Sequence, residues 1–354
     1  MIALVAIAFL YFVPIKQKRV FLIAMVASLV FMTGGYLALT NKAMGYSTVA
    51  FAPLFCGFLF VLIYASVQYQ LSASDPKSPS FPPPFFHVAL VLPTLVVVLQ
   101  LAALFVLFLE GSICIIMAAP FVWVFTLIGS MLGYAVLAAL KIKPNRNVLL
   151  CVVALGLSPV ATQPLETQYL SKQQDAQVTT SIIINNSPEK VFQFISSFPP
   201  LPANLAPRHP AELFFTLGLP APTVSTVACK GVTCARHCVF NQNIQLNERI
   251  TTFQPGHQLA FDVETVVGPQ NRITGVDEHV MPGGIYFKNH KGRFTLTQVG
   301  PKRTLVQGTT WYTMDSSINW YARPWADFLL HTIHRRVLEH IKQLAESNPT
   351  LSRE

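Results

Sequence analysis

Six apolar runs crowd the first 163 residues of this chain, at 1–13, 20–39, 48–67, 85–109, 113–140 and 148–161. A helix needs about 20 apolar residues to cross roughly 30 Å of hydrocarbon, and the second to fifth runs meet that length. Beyond Leu165 the continuous runs give way to short alternating segments divided by turn signals. The expectation is an N-terminal all-α transmembrane part over 1–165 with five to six helices. A linker at 166–176, a C-terminal α+β domain at 177–348 and a tail at 349–354 would follow. The first run is short, and its basic cluster follows the apolar stretch instead of preceding it, the reverse of a cleavable signal peptide. It reads as a short span, an uncleaved anchor, or the remnant of a longer segment.

Charge gives the expected orientation. Only 12% of the 354 residues are charged, about half the usual share for a soluble protein. The formal +9 divides into +6 up to Leu165 and +3 after it, so the basic balance reflects membrane-flanking cations and excludes a nucleic-acid surface. Lys16, Lys18, Arg19, Lys77, Lys141, Lys143 and Arg146 fall on one side of the expected membrane, against Lys42 on the other. The positive-inside rule makes the richer side cytoplasmic. If run 148–161 crosses, the C-terminal domain is extracytoplasmic; if that run lies at the interface, the domain is cytoplasmic. Crossing is the reading adopted, which places the domain in the periplasm of a bacterial inner-membrane protein. Glu110 reads as a turn residue beside Gly111, able to reach water, and not as part of an ion path.

From Gln177 the periodicity is that of a soluble fold. Residues 178–184 read as a strand, and Ser187-Pro188-Glu189 as a helix start carried on by Val191, Phe192 and Ile195. Strands then alternate with turns at Lys230-Gly231, Asn241–Asn243, Pro255-Gly256, Pro282-Gly283-Gly284, Lys291-Gly292 and Gly300-Pro301. A long helix from about Pro324 to Ser347 closes the domain, with apolar positions recurring at three and four. Strand, helix, antiparallel meander and long amphipathic helix is the order of a helix-grip domain, in which a curved antiparallel sheet wraps the last helix.

These residues carry a resemblance. The segments IIINNSPEKVFQFISSF, GVTCARHCVF, NERITTFQPGHQLAFDV, GVDEHVMPGGIYF, LVQGTTWYT and WADFLLHTIHRRVLEHIKQLAE resemble the START/polyketide-cyclase-like (SRPBCC) superfamily. Together with EGSICIIMAAP in the fifth run, they resemble bacterial multi-span members that carry a cyclase/dehydrase-like domain behind their membrane helices. The resemblance implies a START-like helix-grip fold with a cavity. It implies no single activity, since the superfamily includes lipid carriers, ligand sensors and aromatase/cyclases, and fold alone does not give function.

Several residues are candidates for chemistry. A three-residue turn at Asn241–Asn243 would pair Phe240 with Ile244, Cys238 with Leu246 and Arg236 with Glu248, all on one sheet face. Arg236 and Glu248 would then hold a ligand's polar group, or form a satisfied pair that fixes register. Asp277 and His279 alternate onto one side of a strand as orienter and base, or mark a loop. His331 and His334 lie one turn apart, with no third ligand in a metal-binding motif, and no metal or cofactor is expected. Trp311, Tyr312, Trp320, Tyr321 and Trp325 read mostly as core, with Tyr312 a candidate for contact with ligand or for proton transfer. Cys229 and Cys234 flank a four-residue turn and would form a disulfide outside the cytoplasm, leaving Cys238 over.

The reading that follows is a membrane-anchored domain binding a lipid or other apolar small molecule, with no nucleic-acid partner. A cyclase/dehydrase-like enzyme and a structural component of a membrane complex are the alternatives.

Overall fold

In a computed structural model of the chain, the described residues are 45–73, 84–106, 111–140, 158–201, 209–230, 233–241, 244–267 and 287–347, with Leu22 and Ala24. The run at 1–13, all of 20–39 except Leu22 and Ala24, most of 148–161, and the candidates Asp277 and His279 lie outside them. The chain folds as two compact units, one drawn mainly from residues up to Ser171 and the other mainly from residues after it.

The N-terminal unit is helical. Helix α1 (Ala52–Ala73) is entered through a π-helical turn at Ser47–Phe51, and α2 (Leu92–Val106) through another at His87–Val91. Helix α3 spans Ser112–Leu140, and α4 spans Ser158–Tyr169. Among the described residues, three segments are long and apolar enough to cross a membrane: Ser47–Tyr69, Phe86–Val106 and Ser112–Ala139. They correspond to the third, fourth and fifth apolar runs. Apolar helices of this length can associate through close backbone packing at small residues. Gly57 and Gly129 supply it, since a Cβ at Gly57 would lie 1.9 Å from the Thr126 carbonyl oxygen and one at Gly129 1.8 Å from that of Leu54. Gly129 and Gly133 stand four apart, the spacing that aligns two small residues on one helix face. Ser130 Oγ, between them, donates to the Ala89 carbonyl at 2.6 Å. On α4, the buried Glu166 carboxylate accepts from the backbone N–H groups of Tyr46 and Ser47 at 2.5 and 2.8 Å. It thereby satisfies donors that a helix start leaves without intrahelical acceptors.

The C-terminal unit is a seven-stranded sheet with a long final helix. Its strands are β1 (Lys172–Ile184), β2 (Pro222–Lys230), β3 (Thr233–Phe240), β4 (Gln245–Gln254), β5 (Gln258–Val267), β6 (Phe287–Gly300) and β7 (Arg303–Ser316). They lie in the order β1-β7-β6-β5-β4-β3-β2, an antiparallel meander from β2 to β7 with β1 added at the β7 edge. Helix α5 (Pro188–Ser196) follows β1, a short α6 (Leu213–Thr216) precedes β2, and α7 (Asn319–Ser347) ends the fold. This is the helix-grip arrangement.

Local chemistry accounts for most of these boundaries, and two differ from the sequence expectation. Strand β1 begins at Lys172, inside the expected linker, because Lys172–Asp175 are exposed and polar and give no hydrophobic alternation to read. Helix α7 begins at Asn319 and carries Pro324 inside it. The proline removes one N–H donor of the ladder without stopping the helix there, and Asn319 Nδ2 ties the helix start to the Lys172 carbonyl at 2.7 Å. Ser187 occupies the position before α5 in extended backbone, yet its side chain makes no capping hydrogen bond. The turn at Pro255-Gly256 forms as read, with Gly256 at φ 78°, where a side chain would be strained.

The core of this unit lies between α5, α7 and the sheet. Ile184, Val191, Ile195, Leu259, Val306 and Ile341 are fully buried there, with Leu338 almost so. Each such side chain contributes about 1.5–3 kcal/mol relative to exposure. Gly292 stands opposite Phe261 in register, and a Cβ there would lie 2.3 Å from the Phe261 ring, so the ring packs directly on the β6 backbone.

Candidate functional site

The site is built from the β3–β4 hairpin upward. Phe240 N–H donates to the Ile244 carbonyl at 2.8 Å, and the register runs Cys238 opposite Leu246 and Arg236 opposite Glu248. Because side chains alternate with period two, these residues share the face turned toward α7. Arg236 Nη1 lies 2.5 Å from Glu248 Oε2, with the two side chains only 4% and 5% exposed. The guanidinium also sits over the Phe261 ring at 5.2 Å and the Phe294 ring at 5.7 Å, a cation–π placement that offsets part of its lost hydration. Burial raises the Glu248 carboxyl above its ordinary value, and the adjacent guanidinium opposes that rise.

These two residues line a cavity of about 120 Å³ between the sheet and α7. Its apolar wall includes Phe198, Val224, Phe240, Leu246, Val263 and Phe287, and α7 closes it with Leu330, Ile333 and Val337. The polar groups are few. Cys238 Sγ lies 3.5 Å from Glu248 Oε2, and burial pushes its thiol up to about 12, so it is a neutral donor and not a nucleophile at neutral pH. His334 is held at both ring nitrogens, 2.8 Å from Thr310 Oγ1 and 3.1 Å from Thr180 Oγ1. Burial, helped by the neighbouring His331, pushes it down to about 4. Among the described residues, Arg236 Nε and Asn289 Oδ1 are buried without a protein hydrogen-bond partner.

Tyr312 does not join this cavity. Its hydroxyl donates to Asp327 on α7 at 2.5 Å, its ring packs 5.1 Å from Phe287, and burial together with Asp327 raises its phenol above the usual value. It is a sheet-to-helix tie. A separate depression borders Tyr312, Trp311 and Arg293, and there Thr313 Oγ1 donates to Asp175 at 2.8 Å and meets His290 Nε2 at 2.5 Å. Its Asp175, His290 and Arg293 side chains are exposed. No group of three or more His, Cys, Asp or Glu placed to hold a metal occurs among the described residues.

Cys229 and Cys234 are joined in a disulfide at the end of the β2–β3 hairpin, where they stand directly opposite. Cys238 is a buried free thiol. Of the sequence candidates, then, Arg236 and Glu248 meet in the cavity, Tyr312 lies apart, and Asp277 and His279 fall outside the described residues. Asn289 and His334 belong to the cavity wall without having been read as ligand-facing. His334 was legible in principle, since it continues the inward stripe of Leu330, Ile333 and Val337 on α7.

Residues 175–346, from β1 to the end of α7, match the family described as polyketide cyclase/dehydrase and lipid transport. The C-terminal domain belongs to that family. Several solved structures are similar over about half of the chain. XoxI from Bacillus cereus is 18% identical, covering 51% of this chain and 99% of its own, with a TM-score of 0.28. The Zhui aromatase/cyclase from Streptomyces sp. R1128 is 12% identical, covering 51% and 98%, with a TM-score of 0.31. Norcoclaurine synthase from Thalictrum flavum, in complex with dopamine and hydroxybenzaldehyde, is 11% identical, covering 52% and 92%, with a TM-score of 0.30. Comparison with curated protein sequences finds no match. In this polyketide cyclase/dehydrase-like domain the sheet–helix cavity, with its Arg236–Glu248 pair, is the candidate site.

Proposed function

We propose that this protein is a membrane-anchored binder of a lipid or other hydrophobic small molecule, which its C-terminal domain carries, senses or presents. One observation carries the reading: a buried Arg–Glu pair set into an otherwise apolar cavity between sheet and helix. Such a pocket covers an apolar body while a few fixed polar groups orient the head. Two of the cavity's titrating groups, His334 and Cys238, fit binding better than acid–base chemistry. A proton-transfer catalyst works best with a group near the operating pH, whereas His334 lies near 4 and the Cys238 thiol near 12. The cavity of about 120 Å³ is below the ~300–1,000 Å³ typical of drug-sized ligands. A long acyl chain therefore requires α7 to move outward, whereas a small molecule does not.

The anchor we propose is a bacterial inner membrane, with the domain on the periplasmic side. The Cys229–Cys234 disulfide supports this, because disulfides persist in oxidising compartments, as does the seven-to-one division of Lys and Arg. A topology reporter fused after Glu354 tests the side, and a cytoplasmic signal would reverse the assignment. Mass spectrometry of compounds extracted from the purified full-length protein tests the binding. The expected result is a hydrophobic compound near one per chain that is lost from a folded Arg236→Leu variant. Extracts free of such a compound, or unchanged in the variant, would count against the proposal.

A further inference from the structure

We infer that the inner cavity selects an uncharged, ring-sized molecule bearing a hydroxyl group, a small phenol or alcohol. This rests on the proposed reading of that cavity as the binding site. Size sets the first limit. A cavity of about 120 Å³ is of the order of the engineered cavity of about 150 Å³ that admits benzene. Shape sets the second, since Phe240, Phe261, Phe287 and Phe294 present ring surfaces to the interior. Aromatic guests pack against such faces edge-on or offset.

Charge sets the third limit. Arg236 and Glu248 neutralise one another at 2.5 Å, so a carboxylate guest would bring a second buried anion beside Glu248. An ammonium guest would bring a second cation beside Arg236. Either costs several kcal/mol of desolvation with no opposite charge left to meet it. Lys291 also borders the cavity, but its side chain is exposed and its ammonium stays hydrated.

Hydrogen bonding sets the last. Arg236 Nε–H is a buried donor and Asn289 Oδ1 a buried acceptor, both on cavity-lining residues and both without a protein partner among the described residues. Unmet buried polar atoms are costly, and a hydroxyl oxygen both accepts and donates. A purely apolar guest would leave both groups unmet, and a ketone would leave the acceptor unmet. A hydroxyl can serve either atom, as acceptor for Arg236 Nε–H or as donor to Asn289 Oδ1.

The test uses the full-length protein in phosphatidylcholine nanodiscs, with empty nanodiscs as the blank, and ¹⁹F NMR titration of three probes of similar size. These are 4-fluorophenol, 4-fluorotoluene and 4-fluorobenzoate, with palmitate as a separate competitor. The expected result is 4-fluorophenol binding at least about tenfold tighter than 4-fluorotoluene, with 4-fluorobenzoate weakest. In the double variant Arg236→Met/Glu248→Leu, which removes the pair without stranding either charge, the phenol and toluene probes should bind within about threefold of each other. Asn289→Leu should weaken the phenol alone. Equal binding of phenol and toluene, tightest binding of benzoate, or a preference unchanged in the variants would overturn the inference. If palmitate binds and no ring-sized probe does, the inference fails while the binding reading stands. If neither palmitate nor any probe binds, both fail.

Discussion

Two buried Arg–Glu pairs in the C-terminal domain use the same chemistry for different ends. Arg236 and Glu248 face each other across the β3–β4 hairpin inside the cavity, 12 residues apart in sequence. Arg336 on α7 meets Glu212, which ends a 3₁₀ turn at Pro210–Glu212, at 3.0 Å and 124 residues away. The Arg336 guanidinium also lies 5.0 Å from the Phe215 ring, and the adjacent Phe214 packs edge-on against Phe328 at 5.2 Å. This second pair is a clasp that holds the short α6 segment on α7. The first joins two strands already held by their ladder, so the sheet does not need it as a clasp. A charged pair that adds little to the architecture it sits in, yet lines a cavity, fits the recognition role proposed above.

The sharpest way to break this comparison is to strand one charge. Arg236→Met leaves Glu248 buried and unpaired and should cost about 3–5 kcal/mol, read by chemical denaturation of the full-length protein. The double variant Arg236→Met/Glu248→Leu should recover to within about 1 kcal/mol of the parent. A double variant as unstable as the single one would make the cavity pair a structural clasp like the other.

Acid titration sharpens the cavity side. His334 has a folded value of about 4 against an ordinary 6.5, because burial disfavours its charged form. The unfolded chain therefore binds more protons between those values. The stability from keeping His334 neutral is complete above pH 6.5 and is lost as pH falls toward 4, by up to about 3 kcal/mol. Stability curves at pH 7 and pH 4.5 should converge in His334→Gln. An unchanged gap would place the acid sensitivity elsewhere.

Breaking the clasp should have a smaller and more local effect. Arg336→Met is expected to cost about 2 kcal/mol, since this arginine is 11% exposed and keeps some hydration. Limited proteolysis should show new cleavage near Pro210–Thr216, with ligand binding retained. Lost binding with no new cleavage would merge the roles of the two pairs. The smallest effect is expected at the hairpin end. The disulfide closes a short loop whose strands are already paired, so Cys229→Ser/Cys234→Ser should cost at most about 2 kcal/mol. A larger loss, or lost probe binding, would show that the β2–β3 tip helps hold the register on which Arg236 depends.

The two pairs also mark how far the sequence could be read. Arg236 and Glu248 were legible because a three-residue turn at Asn241–Asn243 fixes strand register by counting, and side-chain alternation then fixes the face. Glu212 and Arg336 gave no such signal, because no local period links a residue in a short turn to one on a helix 124 positions later. The same limit explains Tyr312. Its alternation was plain, but only the packing of α7 against β7 brings Asp327 to its hydroxyl. Strand β1 was underread at Lys172–Asp175 because hydrogen bonding alone, with no apolar face, keeps those residues in the strand.

The sequence by itself determined the change from long apolar runs to alternating segments near Leu165, the order of strands and helices, and the facing of Arg236 with Glu248. All of these follow from composition and from periods of two and 3.6 residues, which are properties of neighbouring positions. Only the tertiary structure decided that the pair lies beneath α7 in a small aromatic cavity, that Asn289 and His334 share its wall, and that Gly57 and Gly129 bring two apolar helices to backbone contact. Those outcomes depend on which distant surfaces meet. Burial, and the desolvation that gives a buried charge its meaning, exists only once they have met.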